Sequence, residues 1–187
     1  GDELGMGDYP GLRDRDANRT PMAWTAERNG GFSKAPDPLL VLPPITRPGY
    51  NCQMVNVAVQ KSLNGSLLNW HRHTLLSRRL LPALRHGDFQ LLETSHPGVI
   101  SYIRQTEEMT VLVAVNLSST PASTRLDLGP WQGQLVREVL GGCPFPAASD
   151  HWFVYLSAYD YCWWLIGDVE PESSSNSDAI ADSLAVS

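Results

Sequence analysis

Four charged side chains of alternating sign follow one another near the start of the chain. Arg13, Asp14, Arg15 and Asp16 are consecutive, and Arg19 comes three residues later. An arginine presents a planar fork of donors that suits sugar hydroxyls or a carboxylate, and a neighbouring aspartate can hold that fork in place. These residue types bind and orient ligands. Two interpretations stay open: the residues border a binding site, or they form an ion-pair cluster that fixes a loop.

Three acids at the beginning of the chain could instead form a catalytic or metal-binding group. They are Asp2, Glu3 and Asp8. Adjacent side chains such as Asp2 and Glu3 tend to diverge, so we favour a role in positioning the chain. His71 and His73 lie two residues apart on a predicted helix and point to different faces, which does not match the i, i+4 spacing of helical metal ligands. We therefore predict no metal site.

Composition excludes several functional classes. The chain has 187 residues, 42% of them hydrophobic, and a formal net charge of −6, which gives no basic surface for nucleic acid. No apolar run approaches the length of a membrane span, and the first residues carry no secretory pattern, so we expect a cytoplasmic protein that contacts no membrane. The length is also too short for a (β/α)₈ barrel, which needs about 250 residues.

The cysteine pattern is uninformative about metals. The three cysteines, Cys52, Cys143 and Cys162, contain no C-x-x-C pair and are odd in number. This pattern indicates neither a zinc site nor a disulfide framework. We predict that they are small buried hydrophobic side chains.

Residues 1 to about 62 predict a long irregular segment. They are rich in Gly, Pro, Asp and Asn and have few periodic apolar stretches. Loops longer than about 15 residues are usually functional or disordered. Because this one contains apolar residues that could anchor it, we predict an ordered active-site loop. The expected anchors are Met22, Trp24, Phe32, Leu40, Val41 and Leu42.

The remaining residues predict one helix followed by a β domain. Apolar residues from Leu67 to Leu81 recur at helical spacing, with Ser66 as the amino-terminal cap and Pro82 as the stop. Alternating or short apolar runs then predict seven strands of an antiparallel sandwich. The predicted strands are 89–93, 99–105, 110–117, 123–128, 135–140, 152–157 and 161–166. After Gly167 an acidic, serine-rich tail predicts disorder.

Aromatic rings can either stack on sugars at the surface or pack in the core, and the sequence favours different roles for different aromatic residues. Trp163 and Trp164 are adjacent on a predicted strand and must face opposite ways, which favours core packing for the sandwich tryptophans, Trp131 and Trp152 included. Tyr9 and Tyr50 lie in the long loop, where a sugar could reach them. Turn chemistry beside Pro10 and Gly49 explains these two tyrosines equally well.

Several strings resemble glycoside hydrolase family 13 of the α-amylase superfamily. Residues 1–8 read GDELGMGD and residues 13–24 read RDRDANRTPMAW. In the branch of trehalose synthases, oligo-1,6-glucosidases and sucrose isomerases, similar strings close the last barrel strand and border the sugar site. Further strings are most similar to trehalose synthases, and the resemblance covers about residues 1–166. These strings occupy 29–33, 42–45, 55–57, 66–70, 96–98 and 140–146.

The sequence departs from that family at two places. Ala17-Asn18 stands where the family usually has Gly-Val, and Ala23 stands where it has Gln. Replacing a long amide by a methyl group removes at least one hydrogen bond that could reach a sugar.

The resemblance implies a mixed fold: the edge of a (β/α)₈ barrel followed by an all-β antiparallel sandwich. Residues 1–85 would be the loop after the last barrel strand and the final barrel helix, 86–167 the sandwich, and 168–187 the tail. The family's nucleophile, acid/base and third acid lie on earlier barrel strands. The resemblance therefore implies no catalytic residue in this chain, which should be inactive alone. It also implies no cofactor here, any calcium belonging to the preceding barrel.

The resemblance also implies a substrate and a set of binding residues. Arg15, Asp16 and Arg19 would contact the acceptor sugar of maltose, trehalose or a related α-glucoside, with Asp2, Glu3 and Arg13 supporting them from behind. The implied reaction is isomerisation of maltose to trehalose, with the preceding barrel as partner. Three alternatives stay open: an α-glucosidase or oligo-1,6-glucosidase, a stand-alone carbohydrate-binding or assembly module, and a truncated reading frame without function. Apolar surface left open by a missing barrel predicts self-association.

Overall fold

The computed structural model describes residues 1–141 and 151–167, which form two compact units. One unit spans Gly1–Thr74 and the other begins at Leu75. The first contains turns and helices, and the second contains every strand of the described residues. The predicted mixed class is confirmed, and no closed barrel is present in the described part. The domain limits drawn from the sequence stay predictions, and the tail 168–187 lies outside the described residues.

The first unit contains four short helical turns and two helices. The 3₁₀ turns are Asp2–Leu4, Asp14–Asn18, Arg28–Gly31 and Asp37–Leu39. The helices are α1 (Val57–Ser62) and α2 (Leu67–Leu80), and α2 continues into the second unit. The sequence predicts an irregular segment up to about residue 62, but its last six residues form helix α1. This helix begins with a cap, because the Asn56 side-chain oxygen accepts a hydrogen bond of 2.8 Å from the backbone N–H of Val59.

Helix α2 has the cap that the sequence predicts. The backbone N–H of Asn69 donates to Ser66 Oγ over 3.2 Å. The helix ends at Leu80, one residue before the expected end, and Pro82 then begins a further helix, α3 (Pro82–His86). Proline suits this first helical position because its missing N–H would have no intrahelical partner there. Pro82 therefore ends one helix and starts the next.

Three side-chain carboxamides join the two helices of the first unit; we call Asn56, Gln60 and Asn69 the amide network. Asn69 Nδ2 donates to the backbone oxygens of Gln60 (3.0 Å) and Leu63 (2.9 Å), at the carboxy-terminal end of α1. Gln60 Oε1 accepts from the N–H of Leu68 over 2.9 Å, at the first turn of α2. The buried Asn69 amide thus closes the end of α1, and the half-buried Gln60 amide closes the beginning of α2.

The same network reaches the first residues of the chain. Gln60 Nε2 donates to the backbone oxygen of Leu4 over 2.8 Å, and Leu4 is buried. Asn56 Nδ2 donates to the backbone oxygen of Cys52 over 2.9 Å. Asn56 and Asn69 are themselves buried. The amide network therefore holds together parts of the loop that are far apart in sequence.

A fourth amide organises the middle of the loop. Asn29 Nδ2 donates to the backbone oxygens of Ser33 (3.1 Å) and Ala35 (2.9 Å). Asn29 and Gly30 have positive φ angles of 57° and 63°, a conformation that asparagine and glycine tolerate better than other residues. The backbone oxygen of Gly30 then accepts from the N–H of Trp24 over 2.7 Å. This turn brings residues 24 and 30 into contact.

Two of the predicted apolar anchors are wrong. Trp24 is 51% exposed and Val41 is 96% exposed. The buried residues of the loop include Asn29 and Asn56 together with Leu4, Ala23 and Ile45. The physical reason is that an irregular segment leaves many backbone groups without ladder partners, and buried side-chain amides can satisfy them.

The second unit contains all seven predicted strands, each within one residue of the expected bounds. Five form one antiparallel sheet in the order β1-β2-β3-β7-β5, and β4 pairs with β6 in a second sheet. The strands are β1 (Asp88–Leu92), β2 (Val99–Gln105), β3 (Thr110–Asn116), β4 (Ala122–Asp127), β5 (Val136–Leu140), β6 (His151–Leu156) and β7 (Tyr161–Ile166).

The core of this unit lies between the two sheets. Alternate residues of β2, β3 and β7 meet alternate residues of β4 and β6. Trp131, Trp152 and Trp164 belong to this core, and each is at most 6% exposed. The expectation of core packing is therefore correct for these three tryptophans, while Trp163 lies half-buried on the opposite face of its strand.

The outer face of the five-stranded sheet is apolar and only partly covered. Val111, Val113 and Leu165 pack beneath Ala83 and Leu84 of α3. Towards the β1 edge the cover ends, because three large apolar side chains of this face are exposed. They are Phe89 (60%), Leu91 (64%) and Ile100 (44%).

The prediction that no cysteine forms a disulfide is wrong. Cys162 is fully buried on β7 and is disulfide-bonded, whereas Cys52 has a free thiol; Cys143 lies outside the described residues. Sequence spacing alone carries no signal for a pairing that the sheet topology creates.

In the part of the chain that the structure describes, no helix has the length and apolar character to span a membrane.

Replacing Asn69 by alanine tests the amide network. The variant removes one donor from the carbonyls of Gln60 and Leu63, which keep hydrogen bonds from Ser66. Because each lost hydrogen bond costs about 0.5–1.5 kcal/mol, we expect Asn69→Ala to lower the free energy of unfolding by about 1–3 kcal/mol in urea titrations followed by tryptophan fluorescence. Asn64→Ala, at an exposed turn position, is the matched control and should be close to neutral. An equal loss in both variants would contradict the role given to Asn69.

Candidate functional site

The alternating charges near the start of the chain lie on a short turn; residues 13–19 are called the charged lip. The turn Asp14–Asn18 is a 3₁₀ helix, and Asp14 at its beginning has a positive φ of 52°. The backbone N–H of Tyr9 donates to the Ala17 oxygen over 2.9 Å, which closes the base of the lip. The backbone thus curls so that consecutive side chains point in different directions.

All five charged side chains of the lip are exposed. In the described part of the chain, the ion pairs are Gly1 with Glu3 and Arg28 with Asp37, and neither includes a residue of the lip. No internal ion-pair cluster therefore occupies these charges. They are open to a ligand or to protein outside this chain.

The space beneath this loop is too small for a sugar. A cavity of about 10 Å³ lies among residues from several parts of the loop, which is room for roughly one water molecule. Its walls are formed by Met6, Pro21, Ala23, Asn29, Gly30, Pro44, Ile45, Tyr50 and Cys52. This cavity cannot hold a sugar, so we expect sugar contact by this loop on its outer surface.

Ala23, where the sequence departs from the family pattern, lies in the wall of that cavity. It is 8% exposed, and its backbone oxygen accepts from the N–H of Val57 over 3.0 Å. A side chain at Gly30 would place its Cβ 3.2 Å from the Ala23 Cα, so the two backbones approach closely. The methyl group fits this packed position, and the cavity has no room for a long amide in the same orientation.

Tyr50 presents an aromatic ring at the surface of the loop. The ring lies against Gly7, where an added Cβ would come within 2.8 Å of a ring carbon, so only glycine fits beneath it. The Arg47 guanidinium lies 5.1 Å from the ring centroid, within cation–π distance. Tyr50 remains 41% exposed. The ring is thus fixed from below and accessible from outside.

The acids at the beginning of the chain do not form a proton-transfer pair. A backbone hydrogen bond at Glu3 holds the pKa of the Glu3 carboxyl below its usual value. Glu3 is therefore ionised at neutral pH and cannot supply a proton as a general acid. Asp2 and Asp8 are exposed. Across residues 1–141 and 151–167, no three His, Cys, Asp or Glu side chains are placed to hold a metal ion.

The sequence indicated the lip but missed the amides that order other parts of the same loop. Asn29 and the residues of the amide network match no catalytic or metal-binding motif, so the sequence does not mark them as functional residues. One local signal was available: Asn29 precedes two glycines, which is typical of a left-handed turn. Long-range contacts such as Gln60 with Leu4 have no signature in a single sequence.

Comparisons with known proteins agree with this architecture. A family model described as the maltogenic amylase C-terminal domain matches residues 89–163. Trehalose synthase from Pimelobacter sp. (strain R48) is 40% identical over 173 residues, covering 90% of this chain and 30% of that protein. Trehalose synthase/amylase TreS from Mycobacterium tuberculosis is 42% identical over 168 residues, covering 88% of this chain and 28% of that protein.

A solved structure shows the same fold at lower identity. The crystal structure of trehalulose synthase MutB from Pseudomonas mesoacidophila MX-45 has a TM-score of 0.71 at 23% identity, covering 89% of this chain and 34% of that chain. The chain thus spans less than a third of its trehalose synthase relatives and about a third of this structure. The chain belongs to glycoside hydrolase family 13 of the α-amylase superfamily, with trehalose synthases among its relatives, and its residues 89–163 match the maltogenic amylase C-terminal domain.

Proposed function

We propose that this chain is part of a trehalose synthase, an enzyme that isomerises maltose to trehalose, and that it supplies one border of the sugar site and the accessory β domain. The observation that carries the proposal is the extent of the similarity. Two proteins named trehalose synthase align with about nine tenths of the chain at 40% and 42% identity. A probable oligo-1,6-glucosidase from Bacillus subtilis aligns with 59% of the chain at 30% identity.

The charged lip is the part of the chain that we assign to the sugar. Arg15 and Arg19 are exposed and take no part in the ion pairs of the described residues, so their guanidinium donors can reach sugar hydroxyls. Asp16, exposed between them, adds carboxylate acceptors. Arg13, Asp2 and Glu3 are proposed to support this border without touching the sugar. The amides of Asn29 and of the amide network order other parts of the same loop.

The chemistry requires groups that we assign to protein outside this chain. Retaining glycosidases use two carboxyl groups about 5 Å apart, one as nucleophile and one as acid/base. In the proposed reaction the glucosyl bond to O4 of the second glucose breaks, and a bond to the anomeric oxygen of that same glucose forms. No water is consumed. The role of this chain is to hold the released glucose and to limit access of water to the glucosyl-enzyme.

Hydrolysis is the competing outcome of the same chemistry. A probable α-glucosidase from Rhizobium meliloti is 32% identical over 143 residues, which covers 74% of this chain. If water reaches the glucosyl-enzyme first, the product is free glucose instead of trehalose. Retention of glucose therefore separates the two activities, and the exposed lip is where we expect this chain to affect it.

The proposal predicts that the 187-residue chain has no activity alone. Incubation with maltose should give neither trehalose nor glucose, because the chain is proposed to lack the nucleophile and the acid/base. Replacing the corresponding segment of the Pimelobacter trehalose synthase by this chain should give an enzyme that forms trehalose, detected by chromatography. Turnover by the isolated chain, or a folded chimera that forms only glucose, would contradict the proposal.

In that chimera the lip should control the fate of glucose. We expect Arg15→Ala and Arg19→Ala each to raise KM for maltose about tenfold, equivalent to about 1.4 kcal/mol, and to increase the ratio of glucose to trehalose. Arg28→Ala is the matched control, because Arg28 is an exposed arginine that pairs with Asp37 outside the lip. If all three variants retain the parent KM and product ratio, the lip does not contact the sugar.

A further inference from the structure

Two aromatic side chains lie side by side on the exposed face of the two-stranded sheet. Phe153 is 71% exposed and Tyr155 is 65% exposed. They occupy alternate positions of β6, whose other described side chains, Trp152, Val154 and Leu156, are buried in the core. Strand alternation therefore places both rings on the same outward face. Neither ring can enter the core without removing the core side chains of this strand.

The neighbouring strand adds polar groups to this face. Arg125 lies opposite Phe153 and Ser123 lies opposite Tyr155 in the β4–β6 register. Ser123, Arg125 and the next residue on this face, Asp127, are all exposed. The face thus combines two flat apolar rings with a hydroxyl, a guanidinium and a carboxylate. We call these five residues the β6 platform.

The β6 platform alone is much smaller than a stable protein interface. Two strands of six residues present a face on the order of 200 Å², from a rise of about 3.3 Å per residue and a strand spacing of about 5 Å. A stable protein interface covers about 800 Å² per partner. Arg125 and Asp127 carry opposite charges, so these two residues add no net charge that would attract an anion. A small neutral ligand fits these properties.

We propose that the β6 platform binds a neutral α-1,4-linked glucose oligomer by stacking sugar rings on Phe153 and Tyr155. The rings are about 7 Å apart along the strand, which is comparable to the length of one hexose unit. Hexose rings have an apolar face that stacks on aromatic rings, and their hydroxyls can bond to Ser123, Arg125 and Asp127. The choice of an α-1,4 linkage rests on the proposed function, whereas the position of the site does not.

Titration of the 187-residue chain with maltohexaose tests this site directly. The chain contains four phenylalanines, so their ¹³C-labelled ring signals can be assigned by single substitutions and followed by NMR. We expect the Phe153 signal to shift saturably while the Phe89 signal stays unchanged. Phe153→Ala and Tyr155→Ala should each weaken binding at least tenfold. Phe89→Ala, which removes a ring of similar exposure from the other sheet, should leave the affinity within twofold.

A second variant separates stacking from general apolar contact. Phe153→Leu keeps an apolar side chain but removes the flat ring, and it should weaken binding nearly as much as Phe153→Ala. Absence of saturable binding, an unshifted Phe153 signal, or full affinity in Phe153→Leu would each overturn the proposal. So would concentration-dependent dimerisation that Phe153→Ala abolishes, because a second copy would then occupy this face. Failure here leaves the lip variants of the chimera unaffected, so the two proposals fail separately.

Discussion

The first unit depends on one constraint: an irregular segment must satisfy its backbone polar groups without the ladders of helices and sheets. Asn29, Asn56, Gln60 and Asn69 meet this need with side-chain amides that bond to backbone atoms across the loop. A neutral amide offers donors and an acceptor, and its burial avoids the larger cost of burying a charge. Charged residues are thus left for the surface, and the lip groups five of them within seven residues.

The second unit follows a simpler rule, and the sequence predicts it well. Alternating or short apolar runs gave all seven strands within one residue, since the core between the sheets takes one face of the sheet strands and β3 is buried on both faces. The same alternation explains why Trp152 is buried while Phe153 is exposed. It could not reveal which strands are neighbours, nor that Cys162 is disulfide-bonded, because both depend on long-range topology.

The loop shows the limit of sequence reasoning. Trp24 and Val41 look like anchors by composition, yet both are exposed, because hydrogen bonding and not apolar burial determines this part of the fold. The charged lip was found from residue types, and its proposed role came from the family resemblance. Its exposure and its lack of internal ion pairs in the described residues are what the structure adds. From the sequence, tryptophans were considered as sugar-stacking residues of the sandwich, but three of them are core residues, and the exposed rings of the β6 platform are Phe153 and Tyr155.

Residue-specific hydrogen exchange of the 187-residue chain is the most direct test of the claim that the loop is ordered by its own amides. The backbone N–H groups of Val59 and Leu68 donate to the side-chain oxygens of Asn56 and Gln60. We expect these two N–H groups to exchange at least a hundredfold more slowly than in an unstructured peptide, in the absence of any other protein. Exchange at the unstructured rate would show that the amide network does not form in this chain alone and would contradict the account.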